Sequence, residues 1–214
     1  MKKYNHIIWD WNGTLINDVD VCVNSMNFIL KKYNKSLINK EIYRNIFDFP
    51  VKNYYEKAGF DFTEVDFSIV GMEFIHTYNS QIKTQKLHEG VHFLLESFQK
   101  QNIQQIILSA REQKQLDEEI KYFGLEPYIS KIIGLDNNFA FGKIENGLNY
   151  LKQINCKRQD IVLIGDTLHD ADVAKAMQID CILITHGHQN YDKLKTANCL
   201  IINSFDELKS FFVS

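Results

Sequence analysis

Ile7-Ile8-Trp9-Asp10-Trp11-Asn12-Gly13-Thr14 is the stretch on which the fold turns. Three apolar residues run straight into an acidic one, with nothing polar alternating among them. That pattern fits a short strand buried on both faces, with a carboxylate emerging at its end. Gly13 then permits a tight turn. Working outward, apolar runs of the same kind recur at 103–108, 132–133, 161–164, 181–184 and 199–202. Between them lie residues spaced as on one face of a helix. Val91, Leu94, Leu95 and Phe98 make one stripe. Leu116, Ile120 and Phe123 make a second, closed by Gly124 as a C-terminal cap. Ile144, Leu148, Leu151 and Ile154 make a third, with Gly147 inside it at a cost of about 1 kcal/mol relative to alanine. Strand and helix alternate from about residue 88 onward. This predicts a doubly wound, Rossmann-like α/β core around a parallel sheet.

The first strand breaks that rhythm, because no convincing strand follows it until residue 103. Val19, Cys22, Val23, Met26, Ile29, Leu30 and Tyr33 form a helical stripe, and so do Phe67, Val70, Phe74, Tyr78 and Ile82. Shorter helices fit at about 39–47 and 51–58, split by Pro50. Residues 18–85 therefore read as a helical cap inserted into a core made of 1–17 and 86–214.

Composition narrows the class further. The chain has 214 residues, 45% of them hydrophobic and 24% charged, which excludes a wholly disordered or collagen-like chain. Its net charge of −3, with both signs mixed along the chain, disfavours a basic nucleic-acid-binding face. No apolar run nears the ~20 residues that span a bilayer, and residues 1–8 lack the pattern of a secretory signal. Cys22, Cys156, Cys181 and Cys199 are widely spaced, form no zinc pattern and read as buried free thiols, so a reducing cytoplasm is expected. No dinucleotide or P-loop fingerprint is present.

In open α/β sheets ligands bind beyond the carboxyl ends of the strands. Asp10 follows the first strand, Ser109 the second, and Asp166 with Asp170 the fourth. Distant parts of the chain thus bring carboxylates to one edge. Clustered carboxylates repel and call for a cation, and hard oxygen ligands favour Mg²⁺.

These residues resemble the motifs of the haloacid-dehalogenase-like hydrolases, in their phosphoglycolate-phosphatase-like branch. Asp10 to Thr14 is similar to the nucleophile motif, Ser109 to the second motif, Lys143 to the third, and Asp166 with Asp170 to the fourth. They occur in the family's order, and the helical insertion sits at its cap position. The resemblance implies an Mg²⁺-dependent phosphatase acting on a small, phosphoglycolate-like metabolite. Asp10 would be the nucleophile and form an aspartyl-phosphate. The metal would be held by Asp10, the main-chain carbonyl of Asn12, Asp166 and Asp170. Ser109 would hold phosphate with the main-chain N–H groups at Trp11 and Ala110. Lys143 would neutralise nucleophile and phosphate together. Asp48-Phe49-Pro50 is similar to a family cap loop, which makes Lys52, Asn53 and Tyr54 candidate substrate contacts. His169 could face the site; His186 and His188, flanking Gly187, resemble a family loop near the site but read as a solvated loop, and His6, His76, His88 and His92 carry no pairing signal. A monomer or homodimer is expected.

One position departs from the pattern. Phosphatases of this family carry an acid/base aspartate where this chain has Asn12. An amide transfers no proton, and general acid–base catalysis contributes typically ~10²–10⁴-fold. Three readings stay open: an activated leaving group, another residue in the acid's place, or a low-activity or non-catalytic phosphate-binding protein.

Overall fold

The computed structural model describes residues 4–136 and 142–212. Six parallel strands form the central sheet: β1 (His6–Trp9), β4 (Gln104–Glu112), β5 (Lys131–Leu135), β6 (Ile161–Gly165), β7 (Asp180–Ile184) and β8 (Leu200–Ile202). Their order is β5-β4-β1-β6-β7-β8, with β1 central. The apolar runs read from the sequence are these strands. Side chains alternate across them. Ile7, Trp9, Ile107, Val162 and Ile164 pack on one face, against α5 (Val91–Lys100), α6 (Gln113–Tyr122) and α10 (Phe205–Phe212). Ile8, Ile106, Leu108, Ile161 and Leu163 pack on the other, against α7 (Lys143–Gln153) and α8 (Leu168–Met177). Each such aliphatic side chain contributes roughly 1.5–3 kcal/mol on burial.

Chain order reverses beside β1, which leads to β4 on one side and β6 on the other. That reversal opens a crevice at the strand ends. A two-stranded antiparallel ribbon stands over it, formed by β2 (Ile16–Asn17) and β3 (Lys86–Leu87). Between β2 and β3 lie α1 (Val19–Lys32), α2 (Lys40–Ile46), α3 (Val51–Lys57) and α4 (Phe67–Ser80). These helices have an apolar cluster of their own, including Met26, Ile29, Leu30, Tyr43, Tyr54 and Val70. A short helix α9 (Tyr191–Leu194) follows β7.

Several local expectations need correction. β4 runs past Ser109 to Glu112, with its register to β5 shifting after Leu108, so Ser109 lies inside a strand irregularity and not beyond the strand. α7 buries Lys143, Gly147 and Tyr150, while Ile144 is 36% exposed. Drawing Lys143 inward towards the carboxylates rotates the buried face away from Ile144. A Cβ on Gly147 would lie 2.6 Å from Met177 Sδ, so the bare backbone lets α7 approach α8 closely. α8 begins at Leu168 and not near 170, after Thr167 as its N-cap. Only Cys22 is buried; Cys156, Cys181 and Cys199 are half-buried, and all four are free thiols.

Candidate active site

Asp10 leaves the end of β1, its backbone still bonded to Ile164 of β6. Asp166 leaves the end of β6, and Asp170 sits one turn into α8. All three are buried, and one carboxylate oxygen from each lies within 4.8 Å of the others. Glycine makes this possible. A Cβ on Gly13 would fall 2.4 Å from Asp166 Oδ2, one on Gly187 2.1 Å from the same atom, and one on Gly165 2.3 Å from Asp170 Cγ. Gly13 also holds a φ of +76°, which favours glycine.

Lys143 enters from the first residue of α7 and is itself buried. Its Nζ donates to Asp10 Oδ1 and, at 2.6 Å, to Asp170 Oδ1. Asp170 Oδ2 accepts from the Thr167 hydroxyl at 2.7 Å and from the Thr167 N–H at 3.0 Å. Asp166 Oδ1 accepts from Thr14 Oγ1 at 2.9 Å, and its Oδ2 from the His188 N–H at 2.6 Å. Among the described residues Asp10 Oδ2 has only a 3.4 Å contact, from Thr14 Oγ1. It is the less engaged oxygen of the nucleophile candidate.

Two of the three carboxylates, Asp10 and Asp170, thus share one lysine. Burial raises the Asp10 carboxyl; Lys143 opposes that, and the charges of Asp170 and Asp166 add to it, so the net shift is upward. Asp166 is also raised, first by burial, with His188 opposing. Asp170 goes the other way, because the Lys143 ammonium outweighs its burial. A buried oxygen-only set with excess negative charge suits a hard divalent cation.

Ser109 is buried, and its Oγ accepts from the Arg111 N–H at 3.0 Å. Ser109 and Ala110 line the same cavity as Asp10, Asn12, Lys143 and Asp170. Trp11 does not reach it: the indole turns into the core and donates to Glu119 Oε2 at 2.6 Å. A phosphate contact from Trp11 would be its main-chain N–H alone.

Asn12 occupies the position of most interest. Its Nδ2 donates to Asp18 Oδ2 and to Tyr78 Oη, both at 2.8 Å. Asp18 is fully buried and also accepts from the Gly13 N–H at 2.8 Å and the Tyr78 hydroxyl at 2.8 Å. A carboxylate only accepts, so the amide nitrogen must be the end that faces it. Both amide hydrogens are thereby used, and Asn12 offers the cavity an acceptor.

Asp18 and His188 were not marked by the sequence as a pair, and the structure joins them. His188 is buried, contrary to a solvated loop; its Nε2 lies 3.3 Å from Asp18 Oδ1 and its Nδ1 2.8 Å from the Tyr43 hydroxyl. Burial would raise Asp18, but the His188 charge and hydrogen bonds hold it at about 2. Burial would lower His188, but Asp18 lifts it to about 9. An aspartate beside a helix start reads as a cap, and His188 had only a resemblance to a family loop near the site, so nothing in the sequence paired the two. Asp18, Cys22 and His188 also fall within metal-ligand distance of one another. Both Asp18 oxygens are already occupied by donors, which accounts for that cluster without an ion.

The remaining histidines and cap residues sort by helical phase and depth. His88 and His186, read as unpaired and as solvated, pack with their ring centroids 3.7 Å apart and their planes tilted by 31°, and bracket the Gly13–Thr14 carbonyls. His6 meets the Tyr150 hydroxyl at 2.9 Å. His169 lines the cavity and stacks on Phe49 at 4.5 Å. Of the cap segment 47–55, the cavity is lined by Phe47, Phe49, Val51 and Tyr55. The candidates Lys52 and Asn53 are exposed, and Tyr54 is buried in the cap cluster. Positions 51 and 55 lie one turn apart on one face of α3, which turns 52 and 53 outward.

A family model described as haloacid dehalogenase-like hydrolase matches residues 7–184. The tyrosine-protein kinase PtkA of Mycobacterium tuberculosis is 21% identical over 207 residues, covering 95% of this chain and 70% of that one. The pyrophosphatase PpaX of Halalkalibacterium halodurans is 21% identical over 172 residues, covering 78% and 77%. Among solved structures, a predicted phosphatase from Clostridium acetobutylicum superposes with a TM-score of 0.81 at 21% identity over 99% of each chain. That likeness is one of fold. Among the described residues no helix is long and apolar enough to cross a membrane.

Proposed function

The chain belongs to the haloacid dehalogenase-like hydrolases, and on that premise we propose that it is an Mg²⁺-dependent phosphatase of a small phosphorylated metabolite. The observation that carries this reading is the convergence of Asp10, Lys143, Asp166 and Asp170 in one buried cluster beside Ser109. Asp10 Oδ2 attacks phosphorus while the ester P–O bond breaks, and the electron pair leaves with the ester oxygen. Water then attacks the phosphorus of the aspartyl-phosphate, the P–O bond to Asp10 breaks, and phosphate departs. Lys143 holds the attacking carboxylate in place and offsets the charge that gathers there. Asp10, Asp166, the Asn12 carbonyl and Asp170 would hold the metal, whose chemistry is Lewis-acid shielding between carboxylate and phosphate.

Phosphate release from an aryl phosphate, measured with Mg²⁺ and with excess chelator, tests this. Mg²⁺-dependent release is expected. Binding of phosphate compounds without release from any ester would replace the enzyme by a binding protein, the reading Asn12 otherwise supports.

Metal removal has a pH signature of its own. In metal-free protein Asp10 is raised to about 8 and Asp166 to about 6. Between the ordinary carboxylate range near pH 4 and those values, the unfolded chain binds fewer protons than the folded one. The contribution of these two groups to the stability of the metal-free protein therefore falls as pH rises through this window. Thermal unfolding at pH 5 and pH 8 should show Mg²⁺ raising the midpoint more at pH 8. An equal shift at both would contradict a cation among these carboxylates.

A further inference from the structure

Above the carboxylates the cavity changes character. Phe47, Phe49, Tyr55, Phe67, Phe74 and Tyr78 form its wall, drawn from α3, α4 and the loop before α3. The whole cavity, its carboxylate end included, is about 160 Å³ and opens to solvent, on the scale of the roughly 150 Å³ of a cavity that admits benzene. Its aromatic end is on the scale of one six-membered ring.

The charges around it are already matched. Lys143 faces Asp10 and Asp170. Arg111 is held by Glu119 at 2.9 Å and 2.7 Å. His188 faces Asp18. A second anionic group on a substrate, such as the carboxylate of phosphoglycolate, would enter this wall without an unmatched cation to meet it. A flat apolar ring would instead meet aromatic edges and faces.

Asn12 points the same way by an independent route. An amide transfers no proton to a departing oxygen, and its hydrogens are tied to Asp18 and Tyr78. An alkoxide, whose conjugate acid resembles water at about 15.7, leaves poorly without that proton. A phenolate, with a conjugate acid near about 10, leaves far more readily and takes its proton from solvent afterwards.

We propose, resting on the phosphatase reading above, that the substrate is the phosphate ester of a single-ring phenol bearing no further anionic group. The ring lies against the aromatic wall of the cap, and the phosphate sits at Asp10 and Ser109.

The test compares phenyl phosphate, 4-carboxyphenyl phosphate and phosphoglycolate at one Mg²⁺ concentration. The expected kcat/KM for phenyl phosphate exceeds each of the others by about tenfold or more. Val51→Lys sets a cation on the half-buried cavity rim and should narrow the ratio of phenyl to 4-carboxyphenyl phosphate by about tenfold. Equal or better turnover of phosphoglycolate, or a ratio unmoved by Val51→Lys, overturns the proposal and leaves the phosphatase reading standing. Inert phenylphosphonate and phosphonoacetate separate binding from turnover. Tighter binding of phenylphosphonate with no release from any ester would sink the phosphatase reading and keep the choice of ring. Tighter binding of phosphonoacetate would sink the choice of ring.

Discussion

Asp10→Asn is expected to lower phosphate release by about 10⁴-fold or more while the protein stays folded. An amide oxygen is a poor nucleophile, and no neighbour can replace it: Asp166 and Asp170 already accept from Thr14, His188, Lys143 and Thr167. The same change should leave the unfolding midpoint of metal-free protein unchanged or higher. It removes one of three crowded carboxylates, and Lys143 keeps Asp170 as a partner at 2.6 Å. Phosphate release and thermal unfolding on one preparation check both halves. Activity within tenfold of the parent would remove Asp10 from the nucleophile's role.

The second large effect falls on stability. Asp18→Leu is expected to cost about 3–5 kcal/mol, the range for breaking a buried ion pair from one side. It strands His188, the Gly13 N–H, the Tyr78 hydroxyl and the Asn12 amide together. Adding His188→Leu should return part of the loss, because no buried charge is then unpaired. The sign with pH follows from the pair. Asp18, held at about 2, contributes above its unfolded value near 4 and loses that contribution as pH falls towards 2. His188, raised to about 9, contributes below its unfolded value of 6.5 and loses that contribution as pH rises through 9. The penalty of Asp18→Leu should thus be greatest between about pH 4 and pH 6.5, measured by urea unfolding. A loss under about 1 kcal/mol would mean the pair is not formed.

The core was legible because strands buried on both faces leave unbroken apolar runs, as at 161–164. Asp10 and Asp166 were legible because a sheet of this kind collects whatever follows its strands, Ser109 because it ends an apolar run, and Lys143 through the family resemblance alone, since it opens a helix. The ribbon of β2 and β3 was not, since two-residue strands leave no period to detect. The phase of α7 was misjudged because a buried lysine carries no apolar signal, and Ile144 took its place in the stripe. Asp18 and His188 were missed for a different reason. Each has an ordinary local reading, and only tertiary structure brings them to 3.3 Å. The aromatic wall lay in plain view as residue types, but which of Tyr54 and Tyr55 faces the cavity depends on how α3 is rotated against its neighbours.

Gly13, Gly165 and Gly187 stand so close to Asp166 and Asp170 that a single methyl group at any of them would overlap a carboxylate. They bring no charge, no nucleophile and no ligand atom through a side chain. Their intolerance to replacement should nonetheless match that of the aspartates they surround. A map of tolerated substitutions along this chain would therefore trace the reacting centre partly by its empty places, where the one thing selected is the absence of a carbon atom.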